Sequence, residues 1–159
     1  MYILGISAYY HDSAVTLIKD EYIVAAVQEE RFTRIKQDGG FPKESIKYCL
    51  EEANIILDEI DYIAFYDKPF IKFERLLETY LTEAPKGFKS FVMSIPIWLK
   101  DKFFLKETLA REFRVLFEEL NPEKTEKDSK AFKNRVIEKF MLGEHHQSHA
   151  ASAFYPSHY

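Results

Sequence analysis

The run Tyr2-Ile3-Leu4-Gly5-Ile6-Ser7, a polar break at Ala8-Tyr9-Tyr10-His11-Asp12, and two further runs over 13–18 and 22–28 open the chain. Each run is short, apolar and bounded by polar residues, which predicts three strands rather than a helix. Asp20 and Glu21 leave room only for a tight turn between the second and third. Strands joined by such short links can pair only as an antiparallel meander, because a parallel pairing needs a crossover of a dozen or more residues.

Polar residues follow over 29–40 and end in Gly39-Gly40, which marks a loop. Pro42-Lys43-Glu44 predicts a helix start, since proline's fixed φ suits the first turn. Ile46, Leu50, Ala53 and Ile56 space an apolar stripe through Asn54. Residues 60–66 predict a fourth strand, closed by Lys68-Pro69. A helix that bridges two strands implies a right-handed crossover and a parallel pairing. The expected class is therefore α/β with a mixed sheet.

Further along, Leu, Phe, Lys and Glu recur at helical spacing. Helices are expected over about 70–81 and 105–120, with an irregular link near 82–87; Pro96 leaves 88–104 open. Phe103, Phe113 and Phe117 fit a core or a partner surface better than a cofactor pocket. Residues 121–129 suggest a solvated loop or a frayed turn, and 136–142 a strand that leads through Gly143 into a helix over about 147–155, ending at Pro156.

A chain of 159 residues suits one domain. Its one cysteine, Cys49, excludes an internal disulfide and a cysteine-rich zinc site, and it lies on the inner face of the helix that follows Pro42. A reducing, cytoplasmic compartment is expected. The net charge of −4 argues against a general nucleic-acid binder. No signal peptide is expected, because no apolar stretch follows a basic start. The longest apolar segment, 91–99, contains Pro96 and is too short to span a bilayer.

Three polar clusters could carry chemistry. In Tyr10-His11-Asp12-Ser13, His11 could act as a general acid or base, Asp12 could orient it, and Ser13 could donate to a phosphate. An ordinary polar turn is the alternative. In Glu29-Glu30-Arg31-Phe32-Thr33-Arg34-Ile35-Lys36, the cations Arg31, Arg34 and Lys36 could receive an anionic group; a solvated loop is the alternative. In His145-His146-Gln147-Ser148-His149, three of the chain's five histidines fall within five residues. On a helix, His145 and His149 share a face one turn apart and could grip one divalent metal; surface histidines at a polar helix start are the alternative. A zincin needs Glu directly after the first histidine, and His146 stands there instead.

Together these clusters resemble the O-carbamoyltransferase family of the nodulation-factor, tobramycin and cephamycin type. The matching text is Ile3-Leu4-Gly5-Ile6-Ser7 with His11-Asp12-Ser13-Ala14, then Gln28 through Lys36, then Phe41-Pro42, and finally Glu144 through Ser157. The histidine pair also resembles the His-x-x-x-His metal motif of the tRNA threonylcarbamoyladenosine synthases. The resemblance implies a ribonuclease-H-like half-domain of the actin/Hsp70/sugar-kinase type, with a helical insertion at about 70–130.

It also implies transfer of a carbamoyl group from carbamoyl phosphate to a hydroxyl of a small-molecule acceptor. ATP would be the co-substrate and a carbamoyl adenylate the intermediate. On this carry-over His145 and His149 hold an iron-type divalent metal, and His11 takes the proton of the acceptor hydroxyl. Arg31, Arg34 and Lys36 bind anions or form structural ion pairs. The family's second half-domain, the Asp-Gly motif that should follow the histidine run, and the C-terminal domain are expected beyond residues 1–159. The third metal ligand and most of the ATP site are therefore expected outside them. Residues 1–159 alone are expected to be inactive. A truncated, non-catalytic module that binds metal or a partner is the rival reading.

Overall fold

The computed structural model describes residues 1–67 and 104–155, together with Glu78, Tyr80 and Thr82. The described chain is an α/β fold around one five-stranded mixed sheet. Strands β1 (Tyr2–Ser7), β2 (Ala14–Lys19) and β3 (Tyr22–Gln28) form the antiparallel meander. Asp20 takes up the β2–β3 turn with φ 56°, and the register shifts at Leu17/Ile18. The short helix α1 (Glu30–Thr33) and helix α2 (Lys43–Ala53) follow. A 3-10 turn (Leu57–Glu59) then leads into β4 (Tyr62–Phe65). Helices α3 (Leu105–Leu120) and α4 (Glu126–Lys139), strand β5 (Phe140–Leu142) and helix α5 (His145–Phe154) complete the order.

The spatial order is β3-β2-β1-β4-β5. β4 pairs parallel with β1, as the bridging helix requires, and β5 pairs parallel with β4. Alternate residues Leu4, Ile6, Val15, Leu17, Ile63 and Phe65 are buried, as the period of two demands of one covered face. Ile46, Cys49 and Leu50 of α2 and Leu109, Phe113, Leu116 and Phe117 of α3 share that core. So do Phe132 and Val136 of α4. Phe113 meets Phe41 edge-on at 5.3 Å and Phe140 at 6.0 Å, while Phe117 stacks on Phe132 at 4.2 Å. Burying a ring of this kind contributes roughly 1.5–3 kcal/mol.

Three local expectations are corrected. Residues 126–129 are helical rather than looped, because Thr125 caps α4: its side chain accepts from Asp128 N, and the Asp128 carboxylate accepts from Thr125 N. Residues 136–139 belong to that helix, and the expected strand shrinks to Phe140–Leu142. Val136 and Ile137 favour strand intrinsically, but Phe132 and Val136 lie one helical turn apart and both are buried. Ile56 falls outside the stripe of α2, because Asn54 ends the helix in a left-handed conformation (φ 51°) and leaves Ile56 63% exposed. The helix expected over 70–81 and the span 82–104 lie largely outside the described residues; Glu78, Tyr80 and Thr82 are helical.

Candidate functional site

β1, β3, β4 and β5 all run in one direction, with β2 opposed. Register places Ile6, Phe65 and Leu142 side by side, and Ser7 beside Ala14 and Gln28. The segments that leave these strand ends therefore emerge at the same end of the sheet: Ala8–Ser13, Glu29–Lys36, Tyr66–Asp67 and Gly143–His149. In open α/β sheets ligands bind beyond the carboxyl ends of the strands. All three clusters singled out from the sequence stand at this end.

The Ala8–Ser13 loop is held by the segment 38–40. Tyr9 N donates to Gly39 O at 2.8 Å, and Ser13 N donates to Asp38 O at 2.7 Å. The Ser13 hydroxyl donates to Gly40 O at 2.7 Å. Ser13 is buried, and its hydroxyl ties the two loops together. A Cβ on Gly39 would stand 2.9 Å from Tyr10 O, so only glycine allows this approach. Tyr9 (φ 67°) and Asp12 (φ 50°) are both left-handed, a strain that the surrounding hydrogen bonds hold in place. Burial, then the nearby Glu112 carboxylate, push the Tyr9 hydroxyl up to about 12.

This scaffold presents His11 and Asp12 to solvent. His11 Nδ1 lies 2.7 Å from Asp12 Oδ2, and the Tyr10 ring stands 4.4 Å from the imidazole. Asp12 favours the tautomer with its proton on Nδ1 and leaves Nε2 as the acceptor.

Helix α5 begins at the histidine cluster, two residues earlier than its spacing suggested. His145 and His149 stand on one face, with their Nε2 atoms 3.1 Å apart. Two nitrogens at that spacing suit one cation at about 2.0–2.1 Å from each; the separation falls between those of neighbouring ligands in an octahedron and in a tetrahedron. The pair thus fits a shared divalent metal. Among the described residues no group of three or more His, Cys, Asp or Glu could hold one. His146 is exposed on another side of the helix, its ring edge-on to His145 at 5.7 Å.

Tyr66 connects the loop to the helix, and the strand pattern alone did not single it out. Its ring packs on His145 at 5.6 Å. Burial first, then Asp67 and Tyr10, raise its hydroxyl above the ordinary tyrosine value. Asp67 is itself a buried carboxylate at the end of β4. The available signal was a polar and an aromatic residue directly after an apolar strand.

Arg31, Arg34 and Lys36 are exposed on and after α1, with Arg34 ending the helix at φ 60°. Among the described residues they make no salt bridge with one another's acidic neighbours Glu29 and Glu30. Glu29 instead turns inward: Oε1 accepts from Glu44 N at 3.0 Å, and Oε2 accepts from Ser45 N at 2.8 Å and Ser45 Oγ at 2.6 Å. It serves as a cap supplied to α2 from another element, where a carboxylate also meets the positive end of the helix.

Known proteins are similar to this sequence. The chain is 54% identical to protein sll1178 of Synechocystis sp. over 156 residues, 98% of this chain and 23% of that protein. It is 36% identical to the nodulation protein NolNO of Sinorhizobium fredii over 149 residues, 93% of this chain and 18% of that protein. With MJ1058 of Methanocaldococcus jannaschii it shares 30% over 176 aligned positions, 28% of that protein. The chain therefore spans roughly a fifth to a quarter of the length of these curated relatives. Residues 2–159 also match the family described as carbamoyltransferase N-terminus. With the match running over all but the first residue, the chain belongs to the carbamoyltransferase N-terminal family.

Proposed function

We propose that this chain is the N-terminal part of an O-carbamoyltransferase. The full-length protein would move the carbamoyl group of carbamoyl phosphate to a hydroxyl of a small-molecule acceptor: with water and ATP it would form a carbamoyl adenylate, releasing phosphate and pyrophosphate, and the adenylate would then carbamoylate the acceptor. The observation that supports the reading is that two features stand at one end of the sheet: the His11–Asp12 pair after β1 and the His145–His149 pair on α5. The strand order β3-β2-β1-β4-β5 supports a ribonuclease-H-like half-domain of the actin/Hsp70/sugar-kinase type.

In this mechanism His11 Nε2 accepts the proton of the acceptor hydroxyl as its oxygen attacks the carbamoyl carbon, and AMP leaves. Asp12 holds the imidazole in the tautomer that can accept, and stabilises the imidazolium formed. A positioned base contributes about 10²–10⁴-fold to such a step. Arg31, Arg34 and Lys36 stand beyond β3 at the same end, where their charge suits a phosphate. Ser13 holds the base's loop and reaches a phosphate only by giving up Gly40 O. His145 and His149 would hold a divalent metal, iron by family analogy, which when bound offsets charge on phosphate oxygens. Buried Cys49, its thiol pushed up to about 11 by burial, suits a reducing cytoplasm. Among the described residues no helix is long and apolar enough to cross a membrane.

The test is the full-length protein incubated with carbamoyl phosphate, ATP and a panel of hydroxylated acceptors, with products read by mass spectrometry. A carbamoylated product that disappears in His11→Ala supports the reading. Undiminished product in that variant would remove His11 from the mechanism. Residues 1–159 alone are expected to form none.

A further inference from the structure

Helix α5 follows β5 after only two residues and buries none of its side chains fully. Its orientation on the sheet therefore depends on few contacts. The Ser148 hydroxyl lies 3.2 Å from the carbonyl oxygen of Tyr66, at the end of β4, and 3.0 Å from Glu144 O in the preceding turn. Gly143 N donates to Phe65 O at 2.8 Å, one residue earlier on the same strand. A Cβ on Gly143 would stand 3.2 Å from Ser148 Oγ and 3.6 Å from Phe65 O. Ser148 is three residues after His145, so it neighbours that imidazole across one helical turn, while it points to the side of His149, the next residue.

We propose that Ser148 is a positioning residue for the histidine pair: its bond to Tyr66 O, beside Gly143, sets the rotation of α5 that aims both imidazoles, as one unit, at the end of the sheet where a metal's remaining ligands would close on them. The inference rests on the reading of His145 and His149 as metal ligands. Without the hydroxyl, α5 keeps its helical backbone bonds but loses its side-chain tie to β4. The two nitrogens keep the separation that the helix gives them, but the pair is no longer held toward one place at the end of the sheet, and metal affinity falls while the fold remains. A Cβ at 143 would crowd this hydroxyl.

The test is Co(II) titration of the metal-free full-length protein, read by calorimetry and by the d–d absorption of the bound ion. Thermal unfolding of the metal-free protein is recorded alongside. His145→Ala and His149→Ala report on the ligand reading itself. Ser148→Ala is expected to raise the Kd for Co(II) by about 10–100-fold, the usual cost of losing a partner that orients a ligand, with an unchanged Tm. Ser148→Thr, which keeps the hydroxyl, should restore affinity to within a few-fold. Gly143→Ala should act in the same direction as Ser148→Ala. If Ser148→Ala binds Co(II) as tightly as the wild type while the histidine variants lose it, the ligands stand and the positioning role is wrong. If Tm falls with the affinity and Ser148→Thr does not rescue it, the role is merely structural and the proposal is likewise overturned. If the histidine variants bind normally, the ligand reading fails and this inference with it.

Discussion

Ser45 gives Glu29 two hydrogen bonds, from its backbone N at 2.8 Å and its Oγ at 2.6 Å, across 16 residues of chain. The Glu29 carboxylate is only 3% exposed, so the acidic residue that heads the basic cluster is an architectural one. It fixes the start of α2 against the end of β3, and with it the Gly39–Gly40 segment that holds the His11 loop. Glu29→Ala leaves two backbone donors and a hydroxyl without an acceptor in a buried site. The expected loss is about 2–4 kcal/mol, since each unmet buried group costs roughly 1–3 kcal/mol. Urea unfolding followed by far-UV circular dichroism measures it, and a loss below about 0.5 kcal/mol would contradict the capping role.

Gly39 is the second architectural residue. A methyl group 2.9 Å from Tyr10 O must push the loop that carries His11 away from its support. Gly39→Ala is expected to destabilise by about 1–3 kcal/mol and to lower carbamoyl transfer by the full-length protein, with bound metal unchanged. Metal analysis beside the rate separates a displaced loop from a collapsed site.

His11 and Asp12 should differ in the size of their effects. On the proposed mechanism His11→Ala removes the base and should lower kcat of the full-length protein by about 10²–10⁴-fold. Asp12→Asn keeps the shape but lets the other tautomer form, so a smaller loss is expected, with KM little changed. Equal activity in Asp12→Asn and wild type would show that the 2.7 Å contact has no part in catalysis.

Removal of metal by a chelator should abolish transfer by the full-length protein, and added Fe(II) should restore it. His145→Ala and His149→Ala should each purify with little or no metal. Unchanged metal content in both variants, by elemental analysis, would falsify the ligand assignment.

Acid should weaken the tie between α2 and α3. Hydrogen bonds from Lys43, then Lys47, hold the Glu119 carboxyl at about 2, well below its ordinary 4.5. A carboxyl lowered in the folded state contributes stability that is complete above the unfolded value and is lost as pH falls. The loss should therefore run from about pH 4.5 toward pH 2. The group is exposed, so the effect is small and screened by salt. Glu119→Gln should flatten Tm against pH within that window and lower Tm slightly at every pH above it, the two proteins converging as pH falls toward 2. An unchanged slope would show that the ion pairs contribute nothing.

The sequence by itself determined the meander, the span of α3 and the parallel return of β4. These follow from short-range rules: strand runs at Tyr2–Ser7 and Tyr22–Gln28, links too short for a crossover, and a helix between β3 and β4 that forces one. The three polar clusters were also legible, because their residue types are unusual where they stand. Tertiary structure alone decided the inward turn of Glu29, the burial of Ser13 and the place of Tyr66 between loop and helix. It also decided the fate of residues 136–139, whose strand preference yields to packing on the core. Each of these depends on partners far away in sequence, through strand register and through the space that a glycine leaves open, and no local pattern encodes those distances.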